Sequence, residues 1–310
     1  MSTNASSSDL FLSLQTLGLP DSHIYPAFFF GLFTYITIMF FNMLVLVAIA
    51  VSKKLHKPMF ILLFNLPISD MVGATAFFPH LVLSIVTKNR LISYPACITQ
   101  AFMIHFYGTG NLLILSAMAY DRYIAICHPL TYNIIMSPHK LAKMIILVWL
   151  ISFVIIGVLI LLLAQLQLCR THIIDLFCNN PSLLKLACSG TRVNSLYGLA
   201  GIVFLQGGSL LILVYTYAQI LYTCLVTNQS DARRKAIQTC GSHLVVFLLL
   251  QINTLFTLTA HRVNNTSPYL RRALGVSILI FPPFLDPIIY GLKTKELRQA
   301  VIVFLRRNRI

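Results

Sequence analysis

The chain has 310 residues, of which 57% are apolar and only 10% charged, and its mean hydropathy is +0.81. Soluble proteins carry roughly 25% charged residues because water must solvate their surface, so a secreted hormone, a cytosolic enzyme and a nucleic-acid-binding domain are excluded. In so apolar a chain the net charge of +15 points to the cytoplasmic loops of a membrane protein.

A bilayer helix needs about 20 residues nearly free of charge. In chain order such stretches fall at 24–51, 59–87, 91–120, 144–168, 196–226, 236–260 and 273–292, the second holding one acid, Asp70, and the last one acid, Asp286. The expected fold is all-α, a seven-transmembrane helix bundle, because open strands leave backbone groups unsatisfied in lipid. Residues 1–23 form an N-terminal segment, 24–292 the membrane domain and 293–310 a tail. No cleavable signal peptide precedes span one, so that span is expected to direct insertion.

Lys and Arg number fifteen in the loops and tail on one side and eight on the other, which places the N-terminus outside. The sequon at Asn4 agrees, since glycosylation is lumenal; sequons at Asn264 and Asn265 sit against the membrane, and one at Asn228 lies inside. Cys97, Cys169, Cys178 and Cys188 fall on the outer, oxidising side and suggest two disulfides, with three pairings open. Cys127, Cys224 and Cys240 fall at inner helix ends and read as free thiols, since no metal-ligand spacing accompanies them.

In the tail, Leu297, Val301, Phe304 and Leu305 recur at three- and four-residue steps, with Lys293, Lys295, Arg298, Arg306 and Arg307 largely elsewhere. That pattern predicts an amphipathic helix lying on anionic lipid. The tail contains no cysteine, so a lipid anchor there is not expected.

Three strings carry a family likeness. Span three ends Met118-Ala119-Tyr120-Asp121-Arg122-Tyr123-Ile124-Ala125-Ile126-Cys127-His128-Pro129-Leu130. Span six opens Lys235-Ala236-Ile237-Gln238-Thr239-Cys240-Gly241-Ser242-His243-Leu244, and span seven ends Pro282-Pro283-Phe284-Leu285-Asp286-Pro287-Ile288-Ile289-Tyr290. Together they resemble the signature of odorant receptors, a branch of the rhodopsin-like G-protein-coupled receptors, in register from about Leu55 to Ala300. Pro58-Met59-Phe60, Lys185-Leu186-Ala187-Cys188 and Arg192-Val193-Asn194 resemble its class I branch.

The resemblance implies an odorant-activated receptor of the plasma membrane, in olfactory cilia, that raises cyclic AMP through a stimulatory, olfactory-type G protein. It also implies the pairings Cys97–Cys178 and Cys169–Cys188. Activation is then expected to involve Asp121, Arg122, Tyr123, His243 and Tyr290. A charge at the membrane boundary needs a partner, and Asp121 supplies one for Arg122 at rest. The basic run Arg233-Arg234-Lys235 reads equally as a membrane anchor or a G-protein contact. Pro283 and Pro287 interrupt the helix-seven ladder and favour a kink.

Family members usually have Asn where this chain has Asp286. The polar core is thus Asn42, Asp70, Asn111 and Asp286, and two buried acids do not both ionise unaided. A sodium ion between Asp70 and Asp286 is the favoured reading, against a shared proton or a hydrogen-bonded cluster that only packs the helices. No other cofactor is expected.

The ligand site is expected in the outer half of the bundle. His105 lies about 12 Å in from Cys97 at 1.5 Å per residue, and His105, Gly108, Thr109 and Leu112 follow one face. Gly198 and Ile202 face in from span five, and Gln251, Thr254, Leu255 and Leu258 from span six. Gln251 stands where the family usually has an aromatic. Arg262, one turn beyond Leu258, is expected at the mouth; in class I receptors an Arg there can pair with a carboxylate ligand, so a small acidic or otherwise polar odorant is expected.

Other classes fit less well. Seven spans without an internal repeat do not suit a transporter, the last span has no Lys for a retinal Schiff base, and the spans hold no G-x-S-x-G for a hydrolase. The competing reading is a rhodopsin-like receptor for another small ligand, although no acid in an outer helix half awaits an amine.

Overall fold

A computed structural model describes residues 11–226, 230–263 and 267–307 of the chain. Asn4, Asn228, Asn264 and Asn265 lie outside them, as do the side chains of Arg233, Arg234 and Lys235. Among the described residues seven helices are long and apolar enough to cross a membrane. They are Asp21–Val51 (α1), Pro58–Thr87 (α2), Tyr94–Cys127 (α3), Pro138–Ala164 (α4), Thr191–Val226 (α5), Ser230–Arg262 (α6) and Pro268–Lys293 (α7). The tail helix Lys295–Arg307 (α8) follows, its buried Leu297 packing into the base of the bundle.

Four of these helices open on proline in the first turn, at Pro58, Pro95, Pro138 and Pro268. A first-turn amide has no partner to lose there. Proline therefore sets starts that charge counting misplaced. α4 begins at Pro138, with Lys140 and Lys143 exposed on its first turns, rather than at 144. α3 continues past Arg122 to Cys127 because that charge is paired and does not stop the helix. α3 touches α2, α4, α5 and α6, and so forms the axis of the bundle.

One correction concerns the strands. A three-stranded sheet closes one end of the bundle, in the order β2-β1-β3, from Phe11–Leu14 (β1), Leu91–Ser93 (β2) and His172–Ile173 (β3). β1 is antiparallel to β2 with Leu12 opposite Ile92, and parallel to β3 with Leu14 opposite Ile173. These four side chains are buried against the loop joining α4 and α5. Residues 91–93 were expected in span three; the polar backbone at a helix mouth is satisfied here by strand pairing instead.

The α4–α5 loop is a roof. Cys178 is bonded to Cys97 on α3, and Cys169 to Cys188 within the loop. Gln100 on α3 donates its amide to the Ala76 carbonyl on α2 (2.8 Å) and accepts the Cys178 N–H (2.8 Å), tying roof, α3 and α2 together.

α7 stays helical through Pro282, Pro283 and Pro287. Proline removes the amide that would bond four residues back, so Pro282 leaves the Ile278 carbonyl free and Pro287 leaves that of Pro283. Side chains of other helices fill both positions. The Tyr107 phenol of α3 donates to Ile278 (2.9 Å), and the Asn42 amide of α1 donates to Pro283 (2.8 Å). These substitutions explain how Pro282 and Pro287 sit in a bundle core without leaving either carbonyl unpaired.

Candidate ligand cavity and activation residues

A cavity of about 160 Å³ opens between α3, α5, α6, α7 and the roof, near the sheet end. That is below the roughly 300–1,000 Å³ of typical ligand sites and suits only a small molecule. His105, Gly108, Thr109 and Leu112 line it from α3, as their three- and four-residue spacing requires. Gly110 lies off this stripe, where a Cβ would meet Trp149 of α4 at 3.0 Å. Gly198 and Ile202 line the cavity from α5, and Thr254, Leu258 and Arg262 from α6. Among the described residues no acid lies within ion-pair distance of Arg262.

Two expected wall residues are elsewhere. Leu255 is 52% exposed and turns to the lipid side. Gln251 is buried but off the cavity wall, its amide donated to the Gln206 carbonyl (3.0 Å) and its oxygen accepting from Ser209 (3.2 Å). It binds α6 to α5 below the ligand space. The α6 wall instead includes Thr257 and His261, which the sequence reading did not single out.

The roof contributes Phe177, Asn179, Asn180 and Pro181. The Asn180 N–H donates to His105 Nε2 (3.2 Å), so His105 joins α3 to the roof while facing the cavity. Above this lies Asp175, 2% exposed, beside His261 Nε2 of α6 (3.2 Å) and accepting from Arg271 Nε of α7 (3.2 Å), Asn179 Nδ2 (3.0 Å) and the Ser182 hydroxyl. Burial by itself would raise the Asp175 carboxyl. The bonds from His261, Ser182 and Asn179 outweigh it and hold the group well below the usual carboxylate range.

Deeper in the bundle the four polar-core residues are all buried. Asn111 donates to Asp70 Oδ1 at 2.7 Å, and Asp286 on α7 lies within electrostatic range of Asp70. Asn42 Oδ1, Asp70 Oδ2 and Asn111 Oδ1 have no hydrogen-bond partner. Three unpaired oxygens, one of them on the Asp70 carboxylate, in a core that also holds Asp286 are the donor chemistry of a small hard cation.

At the opposite end, Arg122 is ion-paired with Asp121, whose other oxygen accepts from the Tyr132 phenol (2.8 Å). The Tyr123 hydroxyl lies 3.0 Å from His128 Nε2. His243 of α6 is clamped between the Leu115 carbonyl of α3 (3.1 Å) and the Tyr217 hydroxyl of α5 (2.8 Å), while Tyr217 also donates to the Cys240 carbonyl (3.0 Å). Tyr290 is 3% exposed and its hydroxyl has no partner. This end is closed, with α6 bonded through His243 and Cys240 to α3 and α5. Tyr132 and Tyr217 escaped the sequence reading because a lone tyrosine carries no spacing signal.

The chain matches the family model described as olfactory receptor over residues 31–308. The chain belongs to the olfactory receptor family. It is 34% identical over 298 residues to Olfactory receptor 1500 of Rattus norvegicus, covering 94% of this chain and 95% of that protein. To human Olfactory receptor 52H1 it is 33% identical over 300 residues, 96% and 95% covered. Squid rhodopsin shares the fold, with a TM-score of 0.73 at 19% identity over 93% of this chain and 89% of that one. This olfactory receptor is therefore an odorant-activated G-protein-coupled receptor, a multi-pass protein of the plasma membrane and not an enzyme. Small ligands and G proteins are its partners as a family member.

Proposed function

We propose that this receptor binds a small odorant with an anionic or acceptor head in the cavity under the roof. In this reading it activates a stimulatory, olfactory-type G protein, raising cyclic AMP in olfactory cilia. The observation that carries the ligand class is Arg262, a guanidinium on the cavity wall with no acid to pair with among the described residues. A carboxylate suits it bidentately, and Arg262, though exposed, reaches the cavity wall. His105 and Thr109 offer further polar contacts, and the rest of the wall takes an apolar tail.

The sheet end is outside in this reading. The excess of Lys and Arg at the tail end and the two disulfides at the sheet end support it, and Asn4 is then the glycosylated residue. Domain limits of 1–23, 24–292 and 293–310 follow, with α8 lying on anionic lipid. Arg122, released from Asp121 as α6 moves out, receives the G protein's helix in the opened groove, with Tyr123, His243 and Tyr290 rearranging around it.

A cyclic-AMP reporter assay against acids, alcohols, aldehydes and amines tests the reading, with acids expected to lead. Arg262→Ala at equal surface expression is expected to weaken an acidic agonist by about tenfold or more, as a charged hydrogen bond contributes roughly 1.5–3 kcal/mol. Unchanged potency for every acidic agonist would sink the pairing.

Asp70 and Asp286, with the unpaired oxygens of Asn42 and Asn111, are proposed to share a sodium ion. Exchanging extracellular sodium for an organic cation is expected to shift agonist potency in the wild-type receptor but not in Asp70→Asn. Equal sensitivity in both would leave these residues as a packing cluster.

A further inference from the structure

We propose that Asp175 is the positioning residue of this receptor, a latch through which the roof of the ligand cavity holds α6 in its closed place. The proposal rests on reading the cavity as the ligand site, but its test needs no ligand.

Asp175 belongs to the roof, between the half-cystines Cys169 and Cys178. Its carboxylate is the point where the roof, α6 and α7 meet, through His261 on α6 and Arg271 on α7. Within the roof it also orders the stretch that faces the ligand space. It accepts from Asn179 and Ser182, and Asn179 in turn caps the short helix Asn180–Leu184 by accepting the Ser182 N–H (2.9 Å). Asn180, next along, bonds His105 of α3. A molecule entering beneath Asn179–Pro181 therefore presses on the same unit that grips α6.

The grip on α6 is specific in place. His261 sits beside Arg262, lines the cavity itself, and lies 2.8 Å through Nδ1 from the Thr257 carbonyl one turn back. Thr257 donates to the Leu274 carbonyl of α7 (3.0 Å). A Cβ on Gly275 would lie 3.3 Å from the Phe177 ring and 3.8 Å from His261 Cε1, so roof, α6 and α7 are in contact at this level. About five turns earlier in α6, His243 and the Cys240 carbonyl are bonded to α3 and α5. One helix is thus pinned at two levels, by Asp175 at its end and by Tyr217 and Leu115 nearer its middle. Contacts that exist in the closed arrangement bias the equilibrium toward it, and loosening them shifts the population the other way.

The receptor carries its own reporter. Cys240 and Cys224 are each 4% exposed, packed on Ile220 where α5 meets α6 at the tail end. Outward movement of α6 uncovers Cys240. The experiment measures the rate of Cys240 modification by a membrane-permeant maleimide in the full-length receptor without ligand, followed by peptide mass spectrometry, together with basal cyclic AMP. Asp175→Asn is expected to raise the Cys240 rate about tenfold, the effect of losing one charged hydrogen bond, and to raise basal cyclic AMP. Asp175→Glu is expected to keep the slow rate. His261→Ala should raise the rate as well, with no further increase in the Asp175→Asn background, since both changes open the same contact. Should Asp175→Asn fail to fold, His261→Ala and Arg271→Leu carry the test from the partner side. A Cys240 rate unchanged in these variants, or increments that simply add, would overturn the latch. The latch is read without ligand and the acid pairing only with an acidic agonist, so failure of the one and failure of the other are told apart.

Discussion

Gly73→Ala is expected to leave about a tenth or less of the wild-type amount of folded receptor at the cell surface. A Cβ at this position would lie 2.5 Å from Tyr107 Cγ and 2.8 Å from each Cδ, closer than any carbon contact allows. Tyr107 is 1% exposed and has no room to retreat. Overpacking of this kind costs roughly 1–3 kcal/mol. Moving the ring also breaks its bond to the Ile278 carbonyl, which Pro282 has already deprived of a helical partner, at a further ~1–3 kcal/mol. Surface immunostaining and the melting temperature of the purified receptor measure the outcome. The companion Gly73→Ala/Tyr107→Leu, which makes space for the methyl group, should recover part of the loss. If Gly73→Ala melts like the wild type, the close approach of α2 and α3 is wrong.

The second large effect is expected from Cys97→Ser/Cys178→Ser. This bond closes a separation of 81 residues, and in the chain-entropy description such a link contributes about 4.5 kcal/mol, against about 3 kcal/mol for Cys169–Cys188 with its separation of 19. The functional gap is wider than the energetic one. Losing Cys97–Cys178 frees the roof from α3 beside Gln100, whereas losing Cys169–Cys188 loosens the roof only within itself. Agonist response is expected to vanish in the first variant and to survive, weakened, in the second. Dose-response curves matched for surface expression decide it, and equal responses would show that the roof is held by its hydrogen bonds alone.

The seven spans were legible because lipid leaves a chain little choice: uncharged runs of helical length have one stable solution. The α3 face of the cavity was legible too, since His105, Gly108, Thr109 and Leu112 share a stripe and all line it. α6 was read about half a step out of turn. Its wall runs through Thr254, Thr257, Leu258, His261 and Arg262, while Leu255 meets lipid. In water an amphipathic pattern marks the buried face, but lipid and bundle interior are both apolar, so hydrophobicity along α6 does not say which side is which. Asp175 and His261 were missed for a different reason. They lie 86 residues apart, and neither has neighbours whose spacing announces a partner. The sheet was equally silent, because four residues at Phe11–Leu14 are too few to show alternation.

That sheet also bears on the order of assembly. Ser13 pairs with His172, its hydroxyl bonded to that imidazole across 159 positions of chain. During synthesis β1 is among the first segments made, yet its parallel partner follows only after α4. For that interval β1 has only β2 to pair with, and its other edge, where Leu14 meets Ile173 in the finished protein, stays open. Pairings so distant along the chain form late and slowly. A nascent receptor therefore carries a two-stranded pair with one open edge until the roof brings β3 alongside and completes the sheet.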